Sequence, residues 1–165
     1  MVRRQTGATG ELKKHRRESG ISRPRIAKAT TPAEIGRVHE VMRELRPHHP
    51  DRKAFIRQVQ RQIREGFRLA YLECDGEVRA VAGYRIYELL FSGRTLYVDD
   101  LVTRESDRSR GFGGQLFDWL VAEGRRENCH ELTLDSGVQR FDAHRFYLLK
   151  RMKIASHHFT MALSG

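Results

Sequence analysis

The sequence predicts a mixed α/β domain: a twisted, mostly antiparallel sheet with one parallel strand pair, in the order β-α-α-β-β-β-α-β-α-β. Three observations carry this. Two helical stripes come first, three strand-like runs joined by short turns come next, and strands then alternate with helices. Hairpin-linked strands must be antiparallel, whereas a strand–helix–strand crossover is parallel. A doubly wound parallel sheet is excluded by the same pattern.

A short strand is expected at Ile26–Ala29. "TPAEIGRVHEVMREL" then opens a helix with Thr31 as cap, Pro32 in the first turn and Glu34 closing a capping box. Ile35, Val38, Met42 and Leu45 form its apolar stripe. "RPHHPD" breaks that helix, and Asp51 caps a second one with Phe55, Val59 and Ile63 inward and Gly66 at its end. "FRLAYLEC" and "VRAVAGYRIYELLF" flank the turn "DGE", a hairpin signal. "TLYVDDLVT" is the next strand, reached through "SGR". After "RESDRSR" a helix carries Leu116, Phe117, Leu120, Val121 and Gly124 along one side. "HELTLDS" reads as a strand, "RFDAHRFYLLK" as a helix and "MKIASHHFTMAL" as a final strand.

Bulk properties narrow the function classes. At 165 residues, 39% apolar and 32% charged, the chain has the profile of one globular domain. No apolar run approaches the ~20 residues of a membrane helix, and the N-terminus lacks a secretory h-region, so a cytoplasmic protein with no membrane partner is expected. Cys74 and Cys129 lie far apart without a CxxC spacing and read as reduced thiols. Of the formal +10 charge, +6 falls in residues 1–25, where eight Lys/Arg face only Glu11 and Glu18. This segment is expected to be a disordered basic tail, able to touch nucleic acid non-specifically, ahead of a folded domain over residues 26–165. The pairs His48-His49 and His157-His158 do not match zinc spacing, and no metal is expected.

The stretch "DRSRGFGGQLFDWL" (residues 107–120) places three glycines ahead of an apolar helix. Unpaired first-turn amides and the helix dipole make such a junction an anion cradle, and glycine lets the anion lie on the backbone. Two phosphate-binding patterns fail. No Lys-Ser or Lys-Thr pair comes after Gly111 as a P-loop requires, and Leu116 stands where a dinucleotide fingerprint needs its third small residue. The antiparallel strands upstream also conflict with a dinucleotide fold.

Arg108-Ser109-Arg110-Gly111-Phe112-Gly113 resembles R/Q-x-x-G-x-G/A, the acyl-coenzyme A pyrophosphate loop of the GCN5-related N-acetyltransferase (GNAT) superfamily. "YVDDLVTRESDRSRGFG" is similar to that family's fourth strand running into its loop, and "AHRFYLLKRM" to its late helix. The resemblance covers residues about 26 to 163. It implies acetyl-CoA as cosubstrate and direct transfer of an acetyl group to an amine in a ternary complex. It also implies a splay between the fourth and fifth strands, with the pantetheine arm bonded to backbone at Leu101, Val102 and Thr103. By the same resemblance the diphosphate would lie on Arg108, Ser109, Arg110, Gly111, Phe112, Gly113 and Gly114. Tyr147, one turn after Ala143, falls where the family has its general acid.

The attacking amine must first lose a proton; at a pKa near ~10.4 this is an obstacle of roughly 4–5 kcal/mol at neutrality. Asp99 and Asp100, in an otherwise apolar strand, are the candidate proton acceptors, with Asp99 as base and Asp100 as anchor or structural acceptor. Alternation would set Asp99 with Tyr97 and Leu101, and Asp100 with Val98 and Val102. Asp135 and Ser136 either line the amine side or cap the next turn, and His144 shares a face with Arg140 and Tyr147. Arg140 replaces an asparagine common in the family, and Arg151 a helix-ending glycine. The acceptor, small molecule or protein, is not encoded legibly; a homodimer and a non-catalytic acyl-CoA-binding or nucleic-acid-associated module remain alternatives.

Overall fold

The computed structural model describes residues 23–163. Nearly all of the basic N-terminal segment expected to be a tail lies outside them. Five strands form one sheet in the order β1-β2-β3-β4-β5: β1 (Arg25–Lys28), β2 (Arg68–Cys74), β3 (Glu77–Leu89), β4 (Gly93–Thr103) and β5 (Glu131–Leu134). The first four pair antiparallel and β4 pairs parallel to β5. Helices α1 (Pro32–Leu45) and α2 (Arg52–Arg64) precede β2, α3 (Phe112–Arg126) makes the β4–β5 crossover, and α4 (Phe141–Leu149) comes after β5. The expected fold class and order hold through α4.

Local chemistry explains the boundaries. Thr31 accepts from the Glu34 N–H while the Glu34 carboxylate reaches back to the Thr31 N–H at 2.9 Å, the reciprocal capping box. Asp51 caps α2 through the Ala54 N–H. Asp75 and Gly76 both take left-handed φ (55° and 77°), the geometry that lets a two-residue turn match the strand twist.

Each face of the sheet is covered. Ile35, Val38, Met42, Phe55 and Val59 of α1 and α2 pack on Leu69, Tyr71, Val81 and Val102. On the opposite face Phe112, Leu116 and Leu120 of α3 pack on Leu72, Ala82, Tyr84, Leu96 and Val98. One buried carboxylate ties the second layer together. Glu123 of α3 accepts from Lys28 Nζ at 2.6 Å, the Tyr84 hydroxyl at 3.1 Å and Arg126. Burial pushes its pKa up, but the hydrogen bonds from Arg126 and Lys28 and the Lys28 charge outweigh that and hold it at about 2. A carboxylate depressed in the folded state contributes stability that is complete above its ordinary value of 4.5 and lost as pH falls through about 2. Glu123→Gln should therefore lower Tm at neutral pH and flatten its decline on acidification; a decline as steep as in the parent protein would exclude Glu123 as its source.

Two β-bulges depart from simple alternation. Opposite β2, Leu72 faces Ala80 and Glu73 faces Val78, so Arg79 is the extra residue in β3. Opposite β3, Asp100 faces Gly83 and Val98 faces Tyr84, so Asp99 is the extra residue in β4. A bulge re-aims its own side chain and shifts the alternation of the residues beyond it. Val98 accordingly packs on the α3 side and Val102 on the α1/α2 side. The expected grouping of Asp100 with both valines is thus corrected.

The final strand expected over residues 152–163 does not form. The segment has no ladder partner, and residues 153–163 are exposed. Its alternating apolar pattern is real, but no sheet edge is hydrogen-bonded to it.

Candidate functional site

Parallel pairing between β4 and β5 runs from Thr95↔Glu131 to Val98↔Leu134 and stops there. Beyond Val98 the β5-facing edge of β4, residues 99–103, has no strand partner, while β3 still pairs with the other edge. This is the splay expected from the sequence, and it opens at the Asp99 bulge. Leu101 packs on the α3 side and Val102 on the α1/α2 side, so backbone rather than side chains faces the gap.

β4 then delivers the chain into the glycine loop. Ser109 and Gly111 take left-handed φ (62° and 84°), and Gly111 is the N-cap of α3 with no side-chain cap. The first amides of α3 are consequently left without a side-chain acceptor. At Gly113 a Cβ would sit 2.5 Å from Thr103 Oγ1, so glycine is what allows the helix to start against the end of β4. Gly114 lies beside Lys150, whose Nζ donates to its carbonyl at 3.3 Å and to Asp118 at 2.6 Å, tying the end of α4 to α3.

The loop is organised by Asp107, a residue not singled out from sequence. Its carboxylate is only 2% exposed and meets Arg79 at 3.1 Å, Arg104 at 3.2 Å and Arg110 at 2.6 Å. Arg79 is the bulged residue of β3, and its carbonyl accepts the Arg104 N–H. Of the two arginines expected to meet an anion, Arg110 is thus committed to Asp107 and stacked over Phe112. The Arg108 side chain is exposed, with Glu105 its nearest acid at 3.8 Å.

Asp99 and Asp100 both line a cleft of about 310 Å³ between β4, α2 and the α1–α2 connection, with Arg46, His48, His49, Gln58, Gln62, Arg85 and Tyr97. Gly83 makes the floor possible, since a Cβ there would strike the Phe67 ring at 2.5 Å and approach Asp100. Each aspartate already has a cation: Arg85 Nε donates to Asp99 at 3.1 Å and Arg46 Nε to Asp100 at 2.7 Å. The second Asp99 oxygen, Oδ2, is buried without a donor. Burial raises the Asp99 pKa above the ordinary carboxylate value, against the opposing bond and charge of Arg85. Burial also lowers the His49 pKa, with His48 adding to the effect. A broader cleft of about 680 Å³, between α1 and the β2–β3 turn, contains neither aspartate.

Tyr147 lies elsewhere, on α4, with its ring against Phe117 of α3 and Phe146. Burial raises its pKa, partly offset by Arg140, so the phenol is protonated at neutral pH. No hydrogen-bond partner holds its hydroxyl among the described residues. Ala143 precedes it by one turn on α4. His144 stacks edge-on with Phe141. Asp135, just past β5, accepts the Tyr97 hydroxyl at 2.7 Å and meets His158 at 3.1 Å; neither it nor Ser136 caps α4, whose N-cap is Arg140. The aspartates thus lie on the α1/α2 side of the sheet, whereas Tyr147 packs against α3, which covers the opposite face.

A strand gap leading into an uncapped, glycine-rich helix start agrees with what the comparisons find. The family model described as "Acetyltransferase (GNAT) family" matches residues 36–152. The chain belongs to this acetyltransferase family. A Bacillus subtilis relative, described as the uncharacterized N-acetyltransferase YhdJ, is 31% identical over 119 residues, 72% of this chain and 83% of that protein. The aminoalkylphosphonate N-acetyltransferase of Salmonella typhimurium is 35% identical over 66 residues, 40% of this chain and 43% of that one. Among solved structures, the aminoglycoside N-acetyltransferase AAC(6')-Iy in complex with CoA superposes with a TM-score of 0.76 at 13% identity, over 88% of this chain and 97% of that one. That likeness is of fold. This GNAT acetyltransferase therefore carries the family's architecture, with Asp107 and the Asp99 bulge as the two features of its site least visible in the sequence.

Proposed function

We propose that the protein transfers an acetyl group from acetyl-CoA to the amine of a compact acceptor that also bears an anionic group. The observation that carries this is the charge of the aspartate cleft: each carboxylate is matched by an arginine, so the cleft offers both signs. A polycationic acceptor would gain little there, because Arg46 and Arg85 repel it, whereas an amine with a phosphonate or carboxylate can engage both. A volume of about 310 Å³ also suits a small molecule. The name of the Salmonella relative, an aminoalkylphosphonate acetyltransferase, points the same way.

The cosubstrate fits the other half of the site. The uncapped amides of Phe112, Gly113 and Gly114, with the Arg108 side chain, suit a diphosphate, and the backbone of Leu101, Val102 and Thr103 suits an extended amide arm. Ser109 and Gly111, with their left-handed φ, and Arg110, paired to Asp107, shape that loop. Bound acetyl-CoA supplies an activated acyl thioester. Asp99 takes the proton from the acceptor's ammonium, Asp100 and Arg46 orient the acceptor, and the Tyr147 phenol gives a proton to the departing sulfur. A raised Asp99 pKa brings this base closer to the working pH than an ordinary carboxylate.

The reading is tested by thiol release from acetyl-CoA across a panel of amines. Aminoalkylphosphonates and ω-amino acids should be turned over ahead of polyamines, aminoglycosides and lysine peptides. Preference for a polyamine would overturn the acceptor assignment. Asp99→Asn should lower kcat at neutral pH by about 10²-fold or more and restore part of it at alkaline pH, where the amine is deprotonated in solution; an unchanged pH profile would remove Asp99 as base.

A further inference from the structure

Helix α1 buries an ionisable side chain among its apolar ones. His39 is 2% exposed and shares the buried face with Ile35 and Met42, its ring tilted against Phe55 of α2 at 5.1 Å. Its Nε2 lies 2.9 Å from the His49 carbonyl oxygen. A carbonyl only accepts, so Nε2 carries the proton and donates. Nδ1 is buried with no hydrogen bond among the described residues, and the exposed Glu40 carboxylate stands 3.5 Å from it. An apolar side chain would fill the same space without burying two ring nitrogens, so what histidine adds here is the bond to His49.

The bond falls on a segment with little else to hold it. The connection between α1 and α2, residues 46–50, contains no strand or helix. Its main chain bonds to Met42 at the end of α1 and within itself, from the His49 N–H to the Arg46 carbonyl. Among the described residues, the His39 ring ties this main chain to the helical layer, and the Arg46 side chain ties it to Asp99 and Asp100. The connection is also a wall between two clefts. His48 and His49 line the aspartate cleft of about 310 Å³, whereas Pro47 and Pro50 line the broader one of about 680 Å³. His39 lines neither cleft, but it touches two residues that line the first, His49 through the hydrogen bond and Phe55 through its ring.

We propose that His39 is a positioning residue for the acceptor: by holding the His49 carbonyl it fixes the wall of the aspartate cleft and so the size of amine that fits. This role rests on the aspartate cleft as the acceptor site. With the bond in place, the connection stays over Asp100 and a compact acceptor is enclosed. With the bond gone, residues 47–50 are free to shift toward the broader cleft, and the enclosure is lost.

Steady-state kinetics on the full chain test this, with the amine that the parent protein turns over best. His39→Leu fills the space of the ring and removes the donor. It should raise the acceptor KM about tenfold or more while kcat and the Kd for CoA stay within a factor of about two. His39→Gln, whose amide reaches toward the same carbonyl, should recover most of that loss. Arg46→Gln probes the acceptor site itself. A raised KM in Arg46→Gln beside an unchanged KM in His39→Leu would overturn the role of His39 and leave the cleft assignment standing; an unchanged KM in both would overturn the two together. Equal KM values in the leucine and glutamine variants, or a matching loss of CoA affinity, would reduce His39 to packing. Should His39→Leu not fold, NMR of the imidazole nitrogens in the parent chain decides: the Nε2–H tautomer is expected, and an Nδ1–H tautomer would remove the bond on which the role depends.

Discussion

Tyr147→Phe is expected to lower kcat by about 10²- to 10⁴-fold while leaving the Kd for acetyl-CoA within a factor of about two. The substitution removes one oxygen and leaves the ring against Phe117 and Phe146, so the α3–α4 packing is retained. The hydroxyl has no hydrogen-bond partner among the described residues, and its loss orphans nothing in them. Burial keeps the phenol protonated at neutral pH, the form a general acid requires. Loss of the acid should matter least with acyl donors whose thiol leaves readily. Steady-state kinetics and calorimetry check this; equal losses in kcat and affinity would reassign Tyr147 to binding.

Asp107→Ala is expected to damage both stability and cofactor affinity. The buried carboxylate faces three guanidiniums, and removing it leaves Arg79 and Arg104 close together with only the exposed Glu77 carboxylate to share as counter-charge. Breaking a buried pair from one side costs about 3 kcal/mol or more. In a chain of this size that lowers Tm by roughly 6–12 °C. Because Asp107 also holds Arg110, the loop from Arg108 to Gly111 should lose its left-handed geometry, and CoA should bind at least tenfold more weakly. Asp107→Asn, which keeps the shape and some hydrogen bonds, should fall between. A Tm change under about 2 °C for the alanine variant would contradict the organising role of Asp107.

Much of this site is legible in the sequence because it is written in local chemistry. Gly111 and Gly113 announce a backbone that must take left-handed φ and pack against Thr103, and the capping box at Thr31–Glu34 fixes where α1 begins. The parallel β4–β5 pair is dictated by one crossover helix. What escapes local reading depends on pairing across strands. The bulge at Asp99 exists only relative to Gly83 and Tyr84 of β3, and it puts Asp99 and Asp100 into one cleft where strict alternation separates them. Asp107 looks like a surface acid beside Arg108 and Arg110; only the fold brings Arg79 and Arg104 to it. Residues 152–163 show the converse case. Their pattern is that of a strand, but a strand needs an edge, and no described edge of the same protomer takes them.

The central claim is that the strand gap and the uncapped start of α3 hold acetyl-CoA. Calorimetric titration of the full chain with CoA tests it most directly. One site per chain is expected, with affinity that falls as salt rises and is at least tenfold weaker in a Gly113→Val variant, whose larger side chain would strike Thr103 and cover the helix amides. No heat of binding at millimolar CoA, or a Gly113→Val variant that binds as the parent does, would contradict the account.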